Sequence, residues 1–193
     1  MTKVIHRGNG KVFAVRRNKA NQEVAKLVIP KLDLSFGVLP DNHEFSRPKD
    51  FDCRKLPWPF QSDSVEEAYS GFMLNRIPGK ERMAWMAELW RVLVPNGKCK
   101  MLVPYWGSPR SVQDPASEWP PIAQESFHYF NKGFRDTNKE PSEHYCDFDF
   151  VMGLRLYPDT ANRNDESRQF WATHYLYAVQ DLEVTLTKRP KGD

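Results

Sequence analysis

The sequence predicts an α/β domain on a mostly parallel sheet closed by an antiparallel last strand, and three stretches carry that expectation. Residues 64–71 mix apolar and β-favouring residues at strand length. Residues 79–93 place Met83, Met86, Leu89, Trp90 and Leu93 on one helical face, and residues 98–104 alternate before running apolar. A helix of that length between two strands favours a parallel crossover over a hairpin. Pro95-Asn96-Gly97 separates helix from strand, since proline cannot continue a helix and Asn-Gly accepts a positive φ. Further on, residues 146–156 read as a strand with Phe148, Phe150 and Met152 on one face, and residues 181–188 alternate and should close the sheet. Residues 122–134 predict a helix over the carboxyl edge of the sheet. Residues 164–177 predict another, capped by Asn164 or Asp165, whose aromatic stripe of Phe170, Trp171, His174 and Tyr177 reads as core.

Composition narrows the class. The 193 residues suffice for one well-cored domain, and 40% hydrophobic content is that of a globular chain. No run approaches the roughly 18 apolar residues of a membrane span, and no signal-peptide core opens the chain, so no membrane role and a cytoplasmic location are expected. Cys53, Cys99 and Cys146 are odd in number and widely spaced, as buried reduced thiols are, and the five histidines are scattered; no metal site is expected. Charge is uneven. Residues 1–31 hold eight basic residues against Glu23 alone, a net +7, which leaves −4 to the rest of a chain whose total is +3. Residues 1–30 therefore read as a basic arm ahead of a domain over residues 31–190. In the arm, Val12–Val15 and Val24–Ile29 are each a short strand or a helical turn. Lys3, Arg7, Lys11, Arg16, Arg17 and Lys19 could contact nucleic acid, an acidic protein surface or the inside of an assembly; the plainer reading is a solvated flank.

Three segments are specific enough to suggest a family. "LPWPFQSDSVEEAY", "ELWRVLVPNGK" and "LVPYW", with the later "QDP", "FHYFNK" and "CDFDF", resemble class I S-adenosylmethionine-dependent methyltransferases, in a branch found in bacteria and bacteriophages. The resemblance covers about residues 31–190 and implies a Rossmann-like sheet with S-adenosylmethionine across the carboxyl ends of its strands. It places Asp33, Ser35 and Gly37 of "LDLSFG" in the glycine turn, Asp52 near the adenine and Phe72 after the next strand, all as cofactor contacts. Asn75, Tyr105 and Asp114 fall on the substrate side.

Several positions depart from the family pattern. Ser35 and bulky Phe36 stand inside a turn that small residues usually make. The stretch 38–51, broken by Pro40 and Pro48, is too short for a helix and a second strand ending in a ribose-binding acid, so that strand should be lacking or shortened. Glu44 or Asp50 would have to stand in for the acid. Asn75-Arg76 replaces a Glu-His pair, and Ala116-Ser117 replaces Thr-His, which removes two candidate bases and adds a cation where a sulfonium would lie. The scaffold segments are kept while the site is altered. That pattern favours a non-catalytic binding or structural component, virion-associated if phage-encoded. The alternative is an active S-adenosylmethionine-dependent methyltransferase, since transfer to a good nucleophile needs positioning more than a base.

Overall fold

The structure is a computed structural model that describes the backbone of residues 3–7, 11–17, 23–37 and 44–191, and side chains within 31–37 and 44–191. Seven strands form one sheet: β1 (Lys3–Arg7), β2 (Lys11–Arg17), β3 (Glu23–Asp33), β4 (Val65–Gly71), β5 (Leu93–Pro104), β6 (Phe148–Leu156) and β7 (Val179–Lys188). Their order is β1-β2-β3-β4-β5-β7-β6. β3, β4 and β5 pair in parallel, while β7 runs antiparallel to both of its neighbours, β5 and β6. The five strands from β3 onward are the Rossmann-like methyltransferase sheet with its reversed last strand, as the sequence predicts.

The far edge differs from a doubly wound sheet. β1 and β2 form an antiparallel hairpin, and β2 pairs with residues 23–28 of β3. The two uncertain segments of the basic stretch are thus strands, and β3 runs without a break through residues 23–33. Beyond residue 28 the same edge meets, among the described residues, a single parallel bridge from Ser46 to Leu32. Two backbone bonds make it: Asp33 N–H to Ser46 O at 2.9 Å and Ser46 N–H to Lys31 O at 3.2 Å. The expected second strand is reduced to that one residue; residues 38–43 lie outside the described residues.

Among the described residues, five α-helices accompany the sheet: α1 (Arg82–Val92), α2 (Arg110–Gln113), α3 (Lys132–Asn138), α4 (Pro158–Ala161) and α5 (Asp165–His174). The apolar stripe of α1 buries Trp85, Met86 and Leu89 against Ala68 of β4, Cys99 and Met101 of β5, and Val184 and Leu186 of β7. Arg91 ties the helix end to the preceding loop. It pairs with Glu88 at 2.6 Å and donates to the carbonyls of Phe60 and Trp58 at 2.8 and 3.2 Å. Alternate residues of β5 and β7 (Lys98, Lys100 and Glu183) are exposed on the opposite face of the sheet.

Two helix expectations need correction. Residues 124–130 form a 3-10 turn, and α3 begins separately after Asn131, whose side chain caps it by accepting from Phe134 N–H at 3.0 Å. The aromatic ring spacing is satisfied there by burying Phe127 and Phe130 rather than by a continuous helix. α5 forms and is capped by Asn164 as expected, but none of its residues is buried. Its rings stack on one another instead, Phe170 on His174 and Trp171 on Tyr175, each pair with centroids 4.4 Å apart.

Leu89 is fully buried, so Leu89→Ala should cost about 2–5 kcal/mol and lower the urea midpoint without changing the slope. Val151→Ala, at an exposed position, should stay within about 0.5 kcal/mol of wild type in the same measurement.

Candidate functional site

The carboxyl ends of β3, β4 and β5 lie side by side, and the loops leaving them carry nearly every site residue that the sequence suggests. After β3, the turn is fixed to β4. Leu34 N–H and Phe36 N–H donate to the carbonyls of Tyr69 and Gly71, each at 2.8 Å. Ser35 Oγ accepts from Gly71 N–H at 2.9 Å, and Ser35 N–H donates to Asp33 Oδ1 at 2.8 Å. Ser35 therefore serves the turn itself. Gly37 has φ +84°, a conformation that glycine adopts without strain.

The second carboxylate oxygen of Asp33 is also taken. Arg47, directly after the Ser46 bridge, donates to Asp33 Oδ2 at 2.8 Å, and the same nitrogen reaches the carbonyls of Ser35 and, at 3.5 Å, Gly37. Asp33 is 5% exposed, so this is a pair in low dielectric with further hydrogen bonds to satisfy the guanidinium. Where the resemblance implies an acid after the second strand, this chain has a cation turned onto the glycine turn. Of the proposed substitutes, Glu44 pairs with Lys31, and Asp50 lines the cleft at φ +63°.

A cavity of about 390 Å³ remains beside this staple, lined by Gly37, Asp50, Asp52, Cys53, Arg54 and Met73 among others. Asp52 does not face it unpaired. Arg54 donates to its two oxygens at 3.0 and 3.1 Å, and these bonds hold the Asp52 carboxyl below the usual carboxylate range. Cys53 is walled in behind it, under Trp58 and Trp85, whose indole N–H groups both donate to its carbonyl at 2.9 Å.

Phe36 separates this cavity from a second one of about 390 Å³ on the substrate side, which Phe72, Asn75, Arg76, Pro104, Arg110, Gln113 and Asp114 also line. Phe36 neither fills the cofactor half nor turns into the core. It is 47% exposed at the mouth, with the Arg76 guanidinium 3.4 Å above its ring. Arg76 pairs with Asp114, so the added cation is partly neutralised by a residue expected on the substrate side. Phe72, at φ +54°, carries Arg110 over its ring at 4.9 Å, and Arg110 reaches the buried Asp181 at 3.2 Å. Burial raises the Asp181 carboxyl above its ordinary value, against the nearby arginines. Tyr105 is half-buried and packs against the core and Trp106 outside this cavity.

The two substituted pairs, 42 residues apart in sequence, meet here. Asn75 Nδ2 donates to Ser117 Oγ at 3.3 Å, and Glu118 N–H donates to Asn75 O at 2.7 Å. Amide and hydroxyl touch where the resemblance implied Glu and His. Arg47, Arg54 and Arg110 were not singled out from sequence. A base standing where an acid was expected is the signal that could have found Arg47. Among the described residues, no three His, Cys, Asp or Glu side chains are placed to hold a metal ion, and no helix is long and apolar enough to cross a membrane.

No family model matches the sequence, and no curated protein is significantly similar to it. Solved structures with a similar fold include an S-adenosylmethionine-dependent methyltransferase from Archaeoglobus fulgidus, with 10% identity over 67% of this chain and 62% of that one at a TM-score of 0.44. A methyltransferase from Methanosarcina mazei matches at 10% identity over 73% and 66% with a TM-score of 0.42. The Haloferax volcanii complex of the Trm112 activator with a methyltransferase matches at 16% over 74% and 60%, with a TM-score of 0.39. This chain spans less than two thirds of the length of the Archaeoglobus protein. The fold assignment rests on strand order and direction, and the site on the contacts above.

Burial pushes the Cys53 thiol up to about 12, and raises Cys99 further and Cys146 to about 11. At pH 8 only about one Cys53 in ten thousand would then be thiolate. Native protein should react with Ellman's reagent slowly at all three cysteines and release three equivalents promptly in denaturant. A fast native equivalent at Cys53 would mean that the cleft wall opens.

Proposed function

We propose that this chain uses the methyltransferase fold as a non-catalytic binding or structural component, with its S-adenosylmethionine site closed from within. The observation that carries this reading is Arg47. Its guanidinium occupies Asp33 and the carbonyls of Ser35 and Gly37, the acceptors that a cofactor crossing the glycine turn would need. Displacing it would leave the buried Asp33 carboxylate with no counter-charge and only the Ser35 N–H bond. A hydrogen bond to a charged group is worth about 1.5–3 kcal/mol, so a ligand that must break two of them loses about a hundredfold in affinity or more. The reading extends to a role in a larger assembly, a phage particle included, with the basic residues of the first two strands contacting an acidic protein surface or nucleic acid.

A second reading, an active methyltransferase on an unidentified acceptor, draws on one observation. The cavity between Gly37, Asp52 and Met73 persists, and the Arg47 side chain is 34% exposed on its rim. Were Arg47 to swing outward, Asp33 Oδ2 and the carbonyls of Ser35 and Gly37 would be free to hold the cofactor, with Asp52 and Phe72 completing the set that the resemblance implies.

Calorimetric titration with S-adenosylmethionine and S-adenosylhomocysteine separates the two. The closed site predicts no binding near micromolar for wild type and a gain for Arg47→Ala; micromolar binding by wild type contradicts it. For the basic N-terminal stretch, changing Lys3, Arg7, Lys11, Arg16, Arg17 and Lys19 to Gln should leave the melting temperature within a few degrees. It should abolish retention on an immobilised polyanion at low salt, and unchanged retention would refute that role.

A further inference from the structure

The substrate-side cavity has the makings of a ligand site of its own. Arg76 and Arg110 lie over the rings of Phe36 and Phe72, which orients both guanidiniums at one opening. Each has a single carboxylate partner, Asp114 for Arg76 and Asp181 for Arg110, which leaves most of its donors unused. Two of the lining residues carry polar atoms buried without partners, Asn75 Oδ1 and Arg76 Nε. Asn75 is 7% exposed, and its Nδ2 is already committed to Ser117, so its free oxygen is an acceptor waiting for a donor. Unpaired buried polar atoms are uncommon, and two on neighbouring residues of one cavity call for an occupant.

Their chemistry constrains what that occupant is. Two guanidiniums ask for an anion, while Asn75 Oδ1 asks for a donor close to it. Asp114 and Asp181 offset the two guanidinium charges one for one, so a monoanion suits the site better than a phosphate dianion. Phe36, Phe72 and Pro104 supply an apolar wall. The geometry points to a site for a small α-hydroxy carboxylate with an apolar tail, its carboxylate on Arg110 and Arg76 and its hydroxyl donating to Asn75 Oδ1. An α-amino acid fits less well, because its ammonium would stand beside two guanidiniums. This inference rests on the proposed closure of the cofactor half only in treating the cavity as separate from it.

The test is calorimetry or NMR titration of the full chain with 3-phenyllactate, 3-phenylpropionate and phenylalanine. The expected result is saturable 3-phenyllactate binding, about tenfold weaker for the analogue without the hydroxyl and for the one with an ammonium in its place. Arg110→Lys keeps the charge beside Asp181 but loses the fork, and should also weaken 3-phenyllactate about tenfold with the circular dichroism spectrum unchanged. Absence of 3-phenyllactate binding, or equal affinity for the three acids, overturns the inference, and both outcomes are read on unaltered protein. If S-adenosylmethionine binds alongside 3-phenyllactate, the closure of the cofactor half fails and this site stands. If it displaces 3-phenyllactate, the cavity belongs to the cofactor site and both fail.

Discussion

One ion pair governs the functional edge of this fold. Asp33 ends β3, and Arg47 arrives beside it because the chain returns after only a short loop and makes a single bridge at Ser46. A longer return would leave room for a full second strand and carry the residue after it away from the turn. The short return instead delivers a guanidinium onto Asp33 and the carbonyls of Ser35 and Gly37. Removing Arg47 would leave the buried Asp33 carboxylate without its counter-charge, which ties the closed state of the turn to the stability of the strand end.

The consequences run outward from that pair. With the turn held against β4, Phe36 is carried to the mouth of the cleft, where Arg76 settles on its ring and Asp114 on Arg76. One cleft becomes two cavities with Phe36 between them. The cofactor half is lined by groups that already have partners, Asp33 with Arg47 and Asp52 with Arg54. The substrate half keeps the unpartnered atoms. Satisfied polar groups have little to gain from a ligand and unsatisfied ones have much, which is the ground for the proposed closure of one half and the proposed ligand in the other.

The parts of the fold set by local pattern were legible in the sequence. The 3–4 spacing around Leu89 gives α1, the alternation over 181–188 gives β7, and two prolines in 38–51 announce the reduced second strand. For the candidate site only positions were legible: Asp33, Ser35, Gly37, Phe72, Asn75 and Asp114 lie near the carboxyl ends of β3, β4 and β5. What those residues do there was not, because it depends on long-range partners. Arg47, in Ser46-Arg47-Pro48, reads as loop, and nothing local says that it will meet Asp33. The stripe on α5 shows the other limit: periodicity reports that rings share a face, not whether anything covers that face. Phe170 and Tyr175 are half exposed.

On the proposed reading, Arg47 rather than a cofactor completes the turn after β3. A crystal structure grown with saturating S-adenosylhomocysteine tests it most directly. The account predicts the Arg47 guanidinium on Asp33 and no adenosyl group between Gly37 and Asp52. An adenosyl group bound there, with Arg47 turned out to solvent, would contradict it.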